Sequence, residues 1–241
     1  MTENASDLRA VDSVVLSDED QVLEILRQSV FGLWDVVNNL TRLTPTRRPE
    51  VRVSIFGSAR VPRDHWVDAA VRDLARQLAL MGCAVITGGG PGLMEAANEG
   101  AALAGVTASN VGIRVHLPFE QEVNPFVDES CEHLTFFSRL HHFVLASDAF
   151  VVVPGGIGTV LELSAIWQLL QVRKVRSETP LILIGNMWAD FVAWARSYLL
   201  RPEFELTPLE DIELPRCVNT IDEAVAPLRP HYDESVHKSL K

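Results

Sequence analysis

Lysine is nearly missing from this chain: Lys174, Lys238 and Lys241 are the only three among 241 residues. A pyridoxal enzyme needs a lysine for its Schiff base. Only Lys174 lies within the folded pattern, in the charged run Arg173-Lys174-Val175-Arg176, and the sequence therefore argues against pyridoxal chemistry. Cysteine is scarce as well. Cys83, Cys131 and Cys217 are an odd number, widely separated and never in CxxC spacing, which suggests neither a disulfide framework nor a zinc site. No apolar stretch reaches the roughly eighteen residues that a membrane span needs. The acidic, polar N-terminus carries no basic and apolar leader, so a reduced cytoplasm without membrane attachment is the expected location. Positive charge is in deficit too: a net charge of −11 and a pI near 5.1 oppose the phosphates of DNA or RNA, and no nucleic-acid partner is expected. The positive charge that exists is almost all arginine, whose planar fork suits bidentate recognition of anions.

With 47% apolar residues the chain can bury a full core, and its length suits one large α/β domain or a domain with an appendage. Residues 1–48 read as a polar arm followed by an amphipathic helix. Ser17 is the candidate N-cap, and Val22, Leu26, Val30, Leu33, Val37 and Leu40 recur at three-four spacing. Such a stripe packs on its own domain or makes a dimer contact. Thr44 to Pro49 reads as a linker. Residues 49–230 form the expected main domain, and 231–241 a polar tail.

Within the main domain, strands alternate with helices. The strands expected are Val51 to Phe56, Ala84 to Thr87, Val106 to Val111, a segment around Leu134, Ala149 to Val153 and Leu181 to Ile184. Helices are expected over Val67 to Leu80, Leu93 to Leu103, 138–147, 159–172 and 188–199. An edge segment around Ile212 and a helix from Ile221 to Leu228 complete the pattern. This alternation predicts βαβ units and a parallel sheet covered on both faces. Glycine clusters follow three of the strands, at Gly57-Ser58, Gly88 to Gly92 and Gly155 to Gly158. Ligands in open parallel sheets bind at such carboxyl ends, where strand order reverses.

The richest cluster is Pro154-Gly-Gly-Ile-Gly-Thr-Val-Leu-Glu162, between a buried strand and a helix start. Its glycines allow close approach of a ligand, and the free N–H groups of the following helix favour an anion, so a phosphate seat is expected. Neither Gly88-x-Gly90 nor Gly156-x-Gly158 has the third glycine of a dinucleotide fingerprint, since Leu93 and Leu161 stand there; no Gly-Lys-Ser/Thr exists for a P-loop. A mononucleotide or sugar phosphate remains. Glu162 has two readings: the glutamate of a capping box with Thr159, or a carboxylate doing chemistry beside the phosphate. Arg139 precedes a helical pattern and is by itself a solvated arginine as readily as a site residue. His141 and His142 are adjacent and point apart on a helix, which makes a poor metal pair. Asp148 reads as a turn or cap residue.

Gly88-Gly-Gly-Pro-Gly-Leu-Met94 together with Pro154 to Glu162 resembles the paired GGGxGLM and PGGxGTxxE motifs of the LOG (LONELY GUY) family of cytokinin riboside 5′-monophosphate phosphoribohydrolases. Phe56-Gly-Ser-Ala-Arg60 resembles that family's first glycine turn, and Ser147-Asp-Ala-Phe150 the start of its motif-bearing strand. The similarity runs from about Val51 to Ile184, with weaker matches at Glu120-Gln121 and Asn124-Pro125 that resemble the longer bacterial members. Members often carry the label lysine decarboxylase. The resemblance implies a three-layer Rossmann-like, doubly wound parallel sheet, here with the added N-terminal helix. It implies Arg139 and Glu162 as the catalytic pair, the backbone of Gly155, Gly156, Gly158 and Thr159 on the 5′-phosphate, and Ser58, Gly89, Gly90 and Met94 around ribose and base. Leu140 stands where the family usually has lysine.

The implied activity is hydrolysis of the N-glycosidic bond of an N6-modified adenosine or other nucleoside 5′-monophosphate, giving free base and ribose 5-phosphate. Its oxocarbenium-like transition state is stabilised by a carboxylate that also activates water. No metal and no organic cofactor is required, and a homodimer or larger homo-oligomer is the implied assembly. The alternatives are a non-catalytic nucleotide or molybdenum-cofactor carrier of the same fold, and an interaction protein built around the N-terminal helix.

Overall fold

The computed structural model describes residues 18–40, 50–116, 122–203 and 206–229. Contacts divide the chain into two units, Met1–Thr46 and Arg47–Lys241. The first contains α1 (Glu19–Leu40). Asp18, rather than Ser17, caps it: its Oδ1 accepts from the Gln21 N–H at 3.1 Å, while Ser17 lies outside the described residues. The linker at 44–49 and the polar tail beyond 230 also lie outside them.

The second unit runs β1 (Arg52–Phe56), α2 (Trp66–Leu80), β2 (Ala84–Thr87), α3 (Leu93–Leu103), β3 (Asn110–Val115), β4 (Glu129–His133), α4 (Phe136–Ala146), β5 (Ala149–Val152), α5 (Ile157–Gln171), β6 (Leu181–Ile184) and α6 (Asn186–Leu199). It closes with α7 (Leu209–Ile212), β7 (Arg216–Val218) and α8 (Ile221–Val225). The seven strands form one sheet in the order β4-β3-β2-β1-β5-β6-β7, every pairing parallel. The chain winds outward from β1 to β4, then crosses back to lay β5 on the other side of β1. This is a Rossmann-like, doubly wound α/β fold, and its reversal point lies between β1 and β5.

Alternation along the strands makes two cores. Val53, Ile55, Val85, Val151 and Ile182 face Val71, Leu74, Leu78 and Leu93 of α2 and α3. Phe56, Ile86, Phe150, Val152 and Leu183 face Phe143, Leu163, Ile166 and Trp188 of α4, α5 and α6. Strands buried on both faces read as nearly continuous apolar runs, which is why β1, β2, β5 and β6 are legible in sequence.

The edges differ from expectation. β3 starts at Asn110 rather than Val106, which is exposed in the turn that follows α3. β4 is the exposed, charged run Glu129–His133, and Leu134 falls just beyond it. An edge strand needs only one partner and no apolar pattern. Ile212 lies in the short helix α7, and the edge strand is Arg216–Val218. Cys83, Cys131 and Cys217 are free.

Candidate active site

The three glycine turns come together because β2, β1 and β5 are neighbours. Ser58 stitches them: its N–H donates to the Pro154 carbonyl at 3.1 Å, and its own carbonyl accepts from the Leu93 N–H at 2.9 Å. The Ser58 hydroxyl oxygen accepts from Arg60 N–H at 3.0 Å.

After β5 the chain turns straight into α5, with Gly156 at the N-cap and no side chain capping the helix. The first hydrogen bond of α5 runs from Val160 N–H to the Gly156 carbonyl, at 3.0 Å. The amides of Ile157, Gly158 and Thr159 therefore precede the ladder and carry the positive end of the helix dipole. Sequence reasoning omitted Ile157, since an apolar side chain gives no sign that its amide is exposed. A Cβ on Gly155 would collide with the Thr159 side chain, so the close approach of these two residues demands glycine. Thr159 is buried and turned toward Gly155, and what it offers an anion is its amide.

Glu162 does not cap the helix, because Thr159 is not the N-cap. Its carboxylate instead pairs with Arg139 of α4, Nη1 to Oε1 at 3.2 Å. Thr135 caps α4 by accepting from Ser138 N–H, one residue before Arg139. Arg139 is fixed on three sides. Its Nε donates to the Ile113 carbonyl at 2.8 Å, its guanidinium lies 5.2 Å from the Phe143 ring centre, and its tip touches Gly88. A Cβ at Gly88 would meet both the Arg139 guanidinium and the Met94 sulfur. Gly88, Met94, Arg139 and Glu162 thus converge, bringing the turn after β2 together with residues of α3, α4 and α5. A small cavity between α4 and α5 is lined by Phe136, Arg139, Leu140, Phe143, Gly158, Leu161 and Glu162.

Burial dominates the electrostatics of the pair. It pushes the Glu162 carboxyl up to about 7, and the nearby Arg139 charge offsets only part of that rise. The arginine therefore does not by itself hold Glu162 ionised. His133 and His142 share a proton-bridging contact, Nε2 to Nδ1 at 2.9 Å, and burial followed by the Arg139 charge holds His133 below the usual imidazole range. Burial also lowers His141, whose Nε2 has no hydrogen-bond partner among the described residues. Asp148 ties β5 to β1 by accepting from the Arg52 N–H at 3.0 Å, as a structural residue.

Gly89 and Gly90 sit differently from one another. The Gly89 N–H donates to Thr87 Oγ1 at 2.9 Å, and its carbonyl accepts from the Asn124 N–H at 3.0 Å. Both polar groups of Gly89 are engaged within the protein, so it offers a ligand close approach only. Gly90 has an amide that makes no hydrogen bond among the described residues. Behind this turn lie Thr87, Asn98, Asn110 and Asn124, all buried. Sequence reasoning missed them as a group; the Asn124-Pro125 match was their one visible trace. Glu120 and Gln121 lie outside the described residues.

A helix start with free amides on one turn, a second, tethered glycine turn and a half-buried carboxylate–guanidinium pair make up the candidate site of this Rossmann-like α/β domain. A family model described as "Possible lysine decarboxylase" matches residues 94–228, more than half of the chain, and the chain belongs to that family, the LOG family to which the paired glycine motifs point. Pyrimidine/purine nucleotide 5′-monophosphate nucleosidases of Escherichia coli strains K12 and O157:H7 are 31% identical over 160 residues, 64% of this chain and 35% of theirs. The chain thus spans about a third of the length of these curated relatives. Among solved structures, the structural-genomics target TM1055 aligns with a TM-score of 0.56 at 24% identity, over 75% of this chain and 99% of its own. The molybdenum cofactor binding protein of Rippkaea orientalis gives 0.57 at 18% identity, over 77% and 98%. These likenesses concern the fold.

Proposed function

We propose that this protein hydrolyses the N-glycosidic bond of nucleoside 5′-monophosphates, releasing free base and ribose 5-phosphate. The observation that carries the reading is the Arg139–Glu162 pair, half-buried on α4 and α5 with the arginine tip against the Gly88 turn. The 31% identity to the nucleosidases over 160 residues supports it, as does the family match across residues 94–228, which hold both side chains.

In this reading the 5′-phosphate rests on the amides from Gly155 to Thr159, including Ile157, and fixes the ribose for an oriented attack. Ser58, Gly90 and Met94 surround the nucleoside, with Gly89 bringing the backbone close. Glu162 takes a proton from water as it adds to the anomeric carbon; the bond to the base nitrogen breaks, and the base leaves with its electron pair and is protonated. The same carboxylate stabilises the oxocarbenium character of the transition state. Arg139 anchors a ribose hydroxyl or the phosphate and keeps Glu162 in place. Leu140 lines the cavity where the family usually has lysine, so no second cation is supplied there.

The substrates proposed are AMP, an N6-modified AMP or another nucleoside monophosphate, and no cofactor enters the chemistry. Self-association is part of the proposal, supported by the exposed apolar side chains of Phe137, Ile157 and Leu161 around the site. Among the described residues, no helix is long and apolar enough to cross a membrane. The cofactor-carrier reading shares only the fold, and the half-buried Arg139–Glu162 pair favours the enzyme. A screen of nucleoside monophosphates, with chromatographic detection of free base, tests the proposal. Wild type should release base from at least one nucleotide, and Glu162→Ala should not; equal silence or equal activity would sink it.

A further inference from the structure

The turn Gly88 to Gly90 is held from behind by side chains to which nothing yet assigns a task. Thr87 Oγ1 donates to Asn98 Oδ1 at 2.7 Å and accepts from Gly89 N–H at 2.9 Å. The Asn124 side-chain amide donates to the Gly90 carbonyl at 3.0 Å and to Asn98 Oδ1 at 2.9 Å, while its backbone N–H donates to the Gly89 carbonyl at 3.0 Å. Asn98 in turn donates to Asn110 Oδ1, and the Asn110 amide donates to the Asn98 and Phe126 carbonyls, at 2.5, 2.7 and 2.6 Å. Thr87 and Asn98 are fully buried, and Asn124 is 6% exposed.

Peptide geometry turns this anchoring into an orientation. In a trans peptide the C=O and N–H lie in one plane and point in opposite directions. Fixing the Gly89 N–H on Thr87 therefore sends the Gly88 carbonyl outward, and fixing the Gly89 carbonyl on Asn124 sends the Gly90 N–H outward. These two outward groups make no hydrogen bond among the described residues. They lie beside the place where Arg139 and Met94 meet Gly88. The turn thus presents one acceptor and one donor, a complement to hydroxyls or to a base edge, while phosphate is served from the other turn.

We propose that Asn124 and Thr87, braced by Asn98, are positioning residues that aim the Gly88 carbonyl and the Gly90 amide at the nucleoside half of the substrate. This rests on the nucleotide reading of the site. The network touches neither Glu162 nor the α5 amides. Loss of it disturbs recognition of the nucleoside and leaves the phosphate seat and the titration of Glu162 as they were.

The test uses Thr87→Val, Thr87→Ser, Asn124→Ala and Asn124→Asp in the full chain. Thr87→Val keeps the volume and removes the hydroxyl; Thr87→Ser keeps the hydroxyl. AMP turnover, AMP affinity and inorganic phosphate affinity by calorimetry, and the melting temperature are measured together. A positioning role predicts that Thr87→Val and both Asn124 variants lose about tenfold or more in kcat/KM and in AMP affinity. Inorganic phosphate affinity should stay within about twofold, the acidic limb of the pH profile should not move, and Thr87→Ser should recover most of the loss. Folded variants with wild-type AMP affinity overturn the proposal, as does a parallel loss of inorganic phosphate binding. Should wild type bind AMP without cleaving it, the hydrolase reading fails while AMP affinity still decides the positioning role. Should Thr87→Val not fold, Asn124→Ala, on a loop, decides it.

Discussion

Arg139 and Glu162 form an ion pair at 3.2 Å, and yet burial leaves the glutamate titrating near neutrality, at about 7. The two effects oppose one another, and desolvation is the larger. A carboxyl poised at this value is ionised enough to act as a base at neutral pH and is more basic than an exposed glutamate.

The first consequence is a pH profile. With ionised Glu162 as the active form, kcat/KM should rise about tenfold per pH unit below about 7 and level off above it. Because Arg139 lowers the glutamate's value, Arg139→Gln should move the limb to higher pH as well as reduce turnover. Rate profiles of the two proteins between pH 5 and 9 check this.

Stability should carry the same signature. The folded-state value is raised from 4.5 to about 7, so the folded protein keeps this proton where the unfolded chain has lost it. The contribution is fully present below the unfolded value and disappears as pH rises through the folded one. Glu162→Gln is neutral throughout and should gain on wild type between pH 5 and pH 8, by up to about 3 kcal/mol. Denaturant unfolding at the two pH values measures the difference.

Gly88→Ala should be far more harmful than an ordinary turn substitution. The added Cβ meets the Arg139 guanidinium and the Met94 sulfur, so the arginine must leave Glu162 or the turn must shift. Overpacking of this kind costs about 1–3 kcal/mol, and activity should fall more steeply than stability. Parallel measurement of the melting temperature and of turnover separates the two.

Gly155→Ala should weaken the phosphate seat while leaving the nucleoside side intact, since its Cβ collides with Thr159. Thr159→Val, which retains the amide and the volume, should bind ribose 5-phosphate within about twofold of wild type. Calorimetric titration of both variants with ribose 5-phosphate checks the contrast.

Much of this arrangement was legible in the sequence where burial is two-sided. β1, β2, β5 and β6 are apolar runs, and the glycine clusters mark their carboxyl ends. The edges were not, because β4 carries Glu129, Glu132 and His133 and β7 begins with Arg216, patterns that a single neighbouring strand tolerates. Glu162 looked like half of a capping box, since Thr159 and Glu162 have that spacing. Only the start of α5 at Ile157 excludes it, by placing the cap on Gly156. Asn98 and Asn124 were invisible as a pair because their contact joins a helix to a loop, and no periodicity reports such a meeting.

The central claim is that Glu162 directs water to the anomeric carbon of a nucleotide, and base release in oxygen-18 water tests it most directly. One labelled oxygen should enter the ribose 5-phosphate as hydroxyl on the anomeric carbon, with none in the phosphate or the base, and Glu162→Gln should slow release by about 10²–10⁴. Label in the phosphate, or base release at the wild-type rate by Glu162→Gln, would contradict it.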